Sequence, residues 1–242
     1  MKRVSIINLT LDRYSVTRQC LTETMDRIEY PNVEWLAWDN GSSDDRVKGL
    51  LREMGPDYLR LYPENIGICR AKNQLLIRAT GDYLVSIDPD IIYPERWVTR
   101  LVEAVEAIPD TGLSGYYPGV GGDPDPPTMI NGVRIRPKNL VTFGGYFFPR
   151  ALLEEIGYLY EGYGLYAHEE RDLGVRVRTT GRRVYYMAGA RSYHKGHRGR
   201  EPEWYTNMKL EQRKKHVGHK GWRIRGINMG EISPYVPPPE EI

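Results

Sequence analysis

Residues 81–90 constrain this chain more than any other stretch. They read Gly81-Asp82-Tyr83-Leu84-Val85-Ser86-Ile87-Asp88-Pro89-Asp90. Tyr83, Leu84, Val85 and Ile87 make a short apolar run, as in a strand covered on both faces. The run stops at two carboxylates separated by a proline. Open α/β sheets bind ligands just beyond the carboxyl ends of their parallel strands, so Asp88 and Asp90 stand where a site is expected. Two hard oxygen donors on a stiff turn suit Mg²⁺ or Mn²⁺ holding a substrate's phosphates. An Asp-Pro pair is equally a common solvated turn, and these three residues leave both readings open.

The flanking pattern decides the architecture. Strands are predicted at residues 4–9, 33–38 and 58–62, with helices at 15–28, about 45–54 and 68–79 between them. A further helix follows Pro94 and runs to about residue 107. Alternation with short links implies right-handed crossovers and a mostly parallel central sheet flanked by helices. Beyond Pro109 the rhythm changes. Residues 115–139 are rich in Gly and Pro and read as one long surface loop, of the kind that often serves as a lid or binding loop. Strand character returns at 141–148 and 183–187, with a short strand or turn at 192–197. Helices are predicted at 149–156 and 168–180, and a basic amphipathic helix at 201–217. The tail with Pro237-Pro238-Pro239 is expected to be mobile or docked on a neighbour.

At 242 residues, the chain has room for one large domain, or a domain with an appendage, and can bury a real core. No apolar run approaches the roughly 20 residues that span a bilayer. The opening Met1-Lys2-Arg3-Val4-Ser5-Ile6-Ile7 is a strand and not a signal peptide. Cys20 and Cys69 lie far apart in helical patterns, which points to a reducing cytoplasm and no disulfide framework. The net charge of +2 conceals an asymmetry: residues 191–225 hold 11 Lys and Arg against 3 acids. Such a segment meets an anionic partner or is simply a solvated basic helix.

Four blocks then occur in order: Val4-Ser5-Ile6-Ile7-Asn8-Leu9-Thr10-Leu11-Asp12-Arg13, Leu36-Ala37-Trp38-Asp39-Asn40-Gly41-Ser42-Ser43-Asp44, Asn65-Ile66-Gly67-Ile68-Cys69-Arg70-Ala71-Lys72-Asn73, and Gly81 through Asp90. Together they resemble the family 2 glycosyltransferases of GT-A fold. Downstream, Gly144-Gly145-Tyr146-Phe147-Phe148-Pro149-Arg150, His168-Glu169-Glu170-Arg171-Asp172-Leu173 and Tyr193-His194 continue the likeness, which covers roughly residues 3–197. The resemblance implies an α/β GT-A (Rossmann-like) domain over residues 1–197. Its nucleotide-binding half would be 1–108 and its acceptor-side half 109–197, with a basic, helical extension at 198–242.

The activity implied is transfer of a sugar from a UDP- or GDP-sugar to an acceptor hydroxyl, with inversion, in the cytoplasm. Mn²⁺ or Mg²⁺ would be held by Asp90 and Asp88, with His194 completing the set and His197 a weaker choice. Thr10, Asp12, Asp39 and Asn65 would border the base and ribose. Lys72 would meet the diphosphate, and Gly144 and Gly145 would let the backbone approach the donor sugar. Glu170, with Glu169 in reserve, would be the base that deprotonates the acceptor. Departures from the family pattern are Leu9 and Leu11 for Pro and Tyr, Lys72 for Arg, and Glu170 for Asp. The acceptor stays open among glycan, lipid, small molecule and nucleic acid, and a second copy of the chain is kept as a partner. Residues 191–225 could grip DNA, fold over the donor diphosphate, or rest on anionic lipid. Two other readings keep the fold: a nucleotidyltransferase, disfavoured because Asn8–Asp12 has no glycine for a phosphate loop, and a non-catalytic nucleotide-binding protein.

Overall fold

The computed structural model describes residues 1–119, 124–141, 145–195 and 202–242. The first half runs β1 (Val4–Thr10), α1 (Tyr14–Asp26), β2 (Val33–Asn40), α2 (Asp45–Met54), β3 (Tyr58–Tyr62), α3 (Ile68–Arg78), β4 (Tyr83–Ile87), β5 (Ile91–Ile92) and α4 (Trp97–Ala107). The second runs β6 (Thr111–Tyr117), β7 (Thr128–Ile130), β8 (Val133–Pro137), β9 (Tyr146–Pro149) and α5 (Ala151–Ile156). After a 3-10 turn (Glu161–Tyr163) come α6 (Glu169–Thr179), β10 (Arg183–Arg191), β11 (Tyr193–His194) and α7 (Glu203–Met229).

Among the described residues, nine strands form one sheet in the order β3-β2-β1-β4-β9-β6-β10-β8-β7, and β5 pairs separately with β11. The four strands β1 to β4 are mutually parallel. Strand β9 runs antiparallel between β4 and β6, and β10 returns parallel to β6. The chain builds outward from β1 to β3, then comes back to lay β4 on the other side of β1. That reversal opens a crevice at the carboxyl ends of β1 and β4, where open sheets bind their ligands.

Successive residues of the central strands feed two cores. Ile6, Ala37 and Val85 pack on one face with Leu101 of α4. Ile7, Leu36 and Leu84 pack on the other with Leu75 of α3 and Leu173 of α6. The apolar run at 83–87 is fully buried, as a two-faced strand requires. Helix α2 begins where Asp44 accepts the Arg46 amide and ends at Gly55, whose φ of 64° reverses the chain.

Three expectations need correction. Residues 115–139 are not one long loop: β6 runs to Tyr117, and β7 and β8 form a hairpin. Its turn is Asn131-Gly132, at φ 47° and 82°, the combination that tight hairpins demand. The basic helix extends to Met229, well past residue 217. The tail is neither mobile nor on a neighbour but docks on its own domain. The Val236 amide donates to the Ile156 carbonyl (3.0 Å), and the Tyr158 amide to the Val236 carbonyl (2.9 Å). Gln74 of α3 holds the Glu240 carbonyl at 2.7 Å and the Ile242 amide at 3.0 Å. Three prolines lack amide donors, so residues on either side of them make these bonds.

Helix α7 is fastened by one buried carboxylate. Asp172 of α6 is fully buried and accepts from Arg176 Nε and Arg223 Nε, each at 2.6 Å, and from the Tyr163 hydroxyl at 3.0 Å. Arg176 also donates to the Ile156 carbonyl at 2.8 Å, and the Arg223 guanidinium lies 3.9 Å from the Tyr160 ring centroid. Removing the single anion strands two buried cations, which typically costs about 3–5 kcal/mol. Asp172→Ala is therefore expected to lower unfolding free energy by about that amount in urea titrations. A loss below ~1 kcal/mol would show that α7 is held by other contacts.

Candidate active site

A cavity of about 660 Å³ opens at the carboxyl ends of β1, β2 and β4 and is closed by the start of α6 and the inner face of α7. Asp88 and Asp90 stand at its floor, Lys72 of α3 beside them, and Glu169 and Glu170 opposite. The topology thus brings together five of the residues singled out in the sequence, plus Thr10, Asn65 and His194.

Asp90 is held from three sides. Its Oδ2 lies 2.8 Å from Arg13 Nη1 and 3.6 Å from His194 Nε2, and its carbonyl accepts from the Lys195 amide at 2.8 Å. The β5–β11 pairing sets His194 opposite Ile91, one residue past Asp90. Asp88 sits 3.4 Å from Lys72 Nζ. Burial alone would lower the Lys72 pKa, but Tyr146, Asp88, Glu169 and Glu170 outweigh it and hold the ammonium well above its ordinary value. That cation is fixed at strand-end depth and charged at every physiological pH.

Among the described residues no three His, Cys, Asp or Glu side chains converge in a ready-made metal cage. The donor set nevertheless fits Mn²⁺ or Mg²⁺ completed by substrate. Asp90 and His194 offer oxygen and nitrogen on one side, with Asp88 at the same strand end, and such ions usually take one or two carboxylates plus phosphate oxygens.

The start of α6 is strained. Ala167 and His168 have φ of 92° and 69°, positive values that non-glycine residues rarely adopt, and Asp12 and Arg13 share this at 50° and 61°. Both loops border the cavity. Glu169 Oε2 is buried there with no hydrogen-bond partner. Burial pushes its carboxyl pKa up against the pull of Lys72.

Other expected residues are used differently. Asp39 is fully buried and accepts from the Ser42 amide at 3.1 Å and from the Ser42 hydroxyl. Burial pushes its pKa up despite these bonds, and the cavity wall at this point is Asn40 instead. Asn40 Nδ2 donates to Asn65 Oδ1 at 2.8 Å, tying β2 to the approach of α3. Asp12 does not line the cavity, and its Oδ1 accepts from the amides of Ser43 (2.7 Å) and Asp44 (3.0 Å). At Gly145 packing by itself already requires glycine, because a Cβ there would stand 2.2 Å from both the Ser86 carbonyl and the Tyr93 hydroxyl. Gly144 and His197 lie outside the described residues.

The roof escaped the sequence reading in its particulars. Lys209 Nζ lies 4.6 Å from the Tyr205 ring centroid and 5.6 Å from that of Tyr166, with Arg213 at 5.4 Å from Tyr166. Spacing on α7 could have found Tyr205, Lys209 and Arg213, which recur every four residues on one helix face.

With that geometry in view, comparison with known proteins is decisive on family. Residues 5–157 match the family model for glycosyl transferase family 2. The chain belongs to that family. The match runs from β1 through α5, so the family 2 chain carries α6, His194 and α7 beyond it. No curated protein matches by sequence. Solved structures share the GT-A fold at low identity. GalNAc-T7 with UDP, GalNAc and Mn²⁺ aligns at TM-score 0.66 and 14% identity, over 80% of this chain and 44% of that one. The mannosyltransferase PcManGT from Pyrobaculum calidifontis, with GDP-Man and Mn²⁺, aligns at 0.62 and 20%, over 82% and 58%. S. aureus TarS 1-349 with UDP-GlcNAc aligns at 0.62 and 15%, over 81% and 59%. The family 2 chain thus spans roughly half the length of these structures.

The raised Glu169 pKa has a thermodynamic consequence. A carboxyl that titrates higher when folded favours the folded state while protonated, and that contribution is lost as pH rises through the folded pKa. Glu169→Gln removes the titration. The variant should melt above the parent at neutral pH, and the gap should close as pH falls toward the ordinary glutamate pKa of about 4.3. A constant gap across that range of melting scans would mean that the Glu169 carboxyl is not perturbed.

Proposed function

We propose that this chain transfers a sugar from a UDP- or GDP-sugar to an acceptor hydroxyl, with inversion at the anomeric carbon. The observation that carries this reading is the facing of two pairs of carboxylates across one cavity: Asp88 and Asp90 on the floor, Glu169 and Glu170 at the helix start opposite.

The donor half, residues 1–108, supplies Thr10, Asn40 and Asn65 to border the nucleoside, and Lys72 to meet the diphosphate as a point charge. Asp90, His194 and Asp88 would hold Mn²⁺ or Mg²⁺, which when bound neutralises negative charge developing on the leaving diphosphate. Lys72 adds a second fixed positive charge at that place. The acceptor half supplies the base. In-line displacement needs a proton acceptor on the face opposite the leaving group. Glu169 suits that role better than Glu170, reversing the order expected from the sequence. Its unpartnered Oε2 is buried in the cavity wall, and its raised pKa makes it a stronger base than an ordinary glutamate. Nearby Lys72 keeps the carboxylate accessible as an ion. The roof cations Lys209 and Arg213 screen the diphosphate from water. The buried free thiols Cys20 and Cys69 are in keeping with a reducing cytoplasm.

Thermal-shift measurements with UDP, GDP and their sugars, with and without Mn²⁺, test the donor site. A ligand at 100 times its dissociation constant adds about 2.7 kcal/mol of stability. A metal-dependent shift that Asp90→Ala abolishes is the expected result, and no shift with any nucleotide would reject the donor site. Glu169→Gln should reduce kcat on the order of 10²–10⁴-fold with donor binding intact, and Glu170→Gln much less. For the parent, kcat/KM should fall as pH drops through the raised Glu169 pKa. The opposite ranking of the two glutamines would return the base to Glu170.

A further inference from the structure

The outer face of α7 is not explained by the cavity it roofs. We propose that this face docks on an anionic lipid bilayer. Helix α7 carries seven Lys and Arg against two acids, Glu203 and Glu211. Its inner side is committed to the domain, with Arg223, Gly226 and Ile227 buried. Its outer side exposes Lys214, Lys215 and Arg225. Among the described residues nine large apolar side chains are strongly exposed, and five are on this helix: Trp204, Leu210, Val217, Trp222 and Met229.

The placement of tryptophan is the strongest part of this pattern. Trp35, Trp38 and Trp97 are buried in the two cores, whereas Trp204 and Trp222 are 50% and 62% exposed. At 3.6 residues per turn these two stand an integral number of turns apart, on one line of the helix. Leu210 and Val217 stand roughly 120–140° round the helix from that line, at the other edge of the exposed face, with Lys214, Arg225 and Met229 on the arc between. Trp seats at the headgroup level of a bilayer, aliphatic side chains enter the acyl boundary, and Lys and Arg meet anionic lipid phosphates. A nucleic acid would satisfy the cations and stack on Trp but would leave Leu210, Val217 and Met229 without apolar partners. A bilayer accommodates all three kinds of side chain at once. Docked in this way, the cavity beneath α7 opens beside the membrane surface.

The test uses the whole chain and does not depend on sugar transfer. Vesicles of phosphatidylcholine alone are compared with vesicles of equal phosphatidylcholine and phosphatidylglycerol, by co-sedimentation and tryptophan emission. The buried Trp35, Trp38 and Trp97 already emit from apolar surroundings, so any blue shift reports on Trp204 and Trp222. We expect sedimentation and a blue shift with phosphatidylglycerol only, weakened by salt as surface charges are screened. The pair Trp204→Ser and Trp222→Ser should abolish the shift and most sedimentation. The pair Lys214→Glu and Lys215→Glu should abolish sedimentation while leaving the melting temperature unchanged. Sedimentation that survives both pairs, or no binding to anionic vesicles, would overturn the proposal. So would duplex DNA competing the protein off such vesicles while itself binding through Trp204 and Trp222, or self-association that buries those side chains.

Discussion

The fully buried Asp172 carboxylate is the interaction on which the closed site depends. One anion takes a guanidinium from its own helix and another from α7, and Arg176 passes the connection on to the end of α5. In a low-dielectric interior neither cation is tolerable without that carboxylate. The arrangement therefore specifies one seat for α7 more sharply than apolar packing would, since a displaced helix leaves a charge behind. The roof from Tyr205 to Arg213 lies on the same helix, which is also held by contacts of Tyr160 with His219 (3.0 Å) and of His168 with the Arg213 carbonyl (3.3 Å).

The floor is positioned by a different principle. Strand order places β1 and β4 side by side while their following segments diverge, so Asp88 and Asp90 face an opening instead of another helix. The ion pair between Arg13 and Asp90 then sets the side-chain direction, and the β11 pairing delivers His194 to the same carboxylate. Topology, ion pairing and edge-strand pairing act in succession, each on a smaller length scale.

Much of this was legible in the chain because local rules carry it. The run 83–87 had to be buried on both faces, the acids after it had to sit at a strand end, and helix caps such as Asp44 are written into neighbouring residues. What escaped depends on distant partners. Asp12 looked like a ligand of the nucleoside, and only folding shows that Ser43 and Asp44 claim its carboxylate. At Gly145 the sequence points to close approach by a donor sugar, and only the fold shows that Ser86 and Tyr93 crowd the same position. The seat of the proline tail rests on Gln74, far away in sequence. The hairpin at Asn131-Gly132 is a different case. Its turn pair was in plain view, but the surrounding glycines and prolines gave the region the look of unstructured chain.

Asp12, Arg13, Ala167 and His168 hold their loops in left-handed backbone. Each such residue would relax if replaced by glycine, or where the side chain is dispensable by asparagine. Selection for heat resistance would favour those exchanges only where the side chain makes no bond of its own, unlike Asp12 and Arg13. Selection for turnover would oppose them, because the same four positions aim Arg13 at Asp90 and set the first turn of α6. The two loops bordering the cavity thus mark where this fold should evolve most slowly, and where gains in durability would come with a duller catalyst.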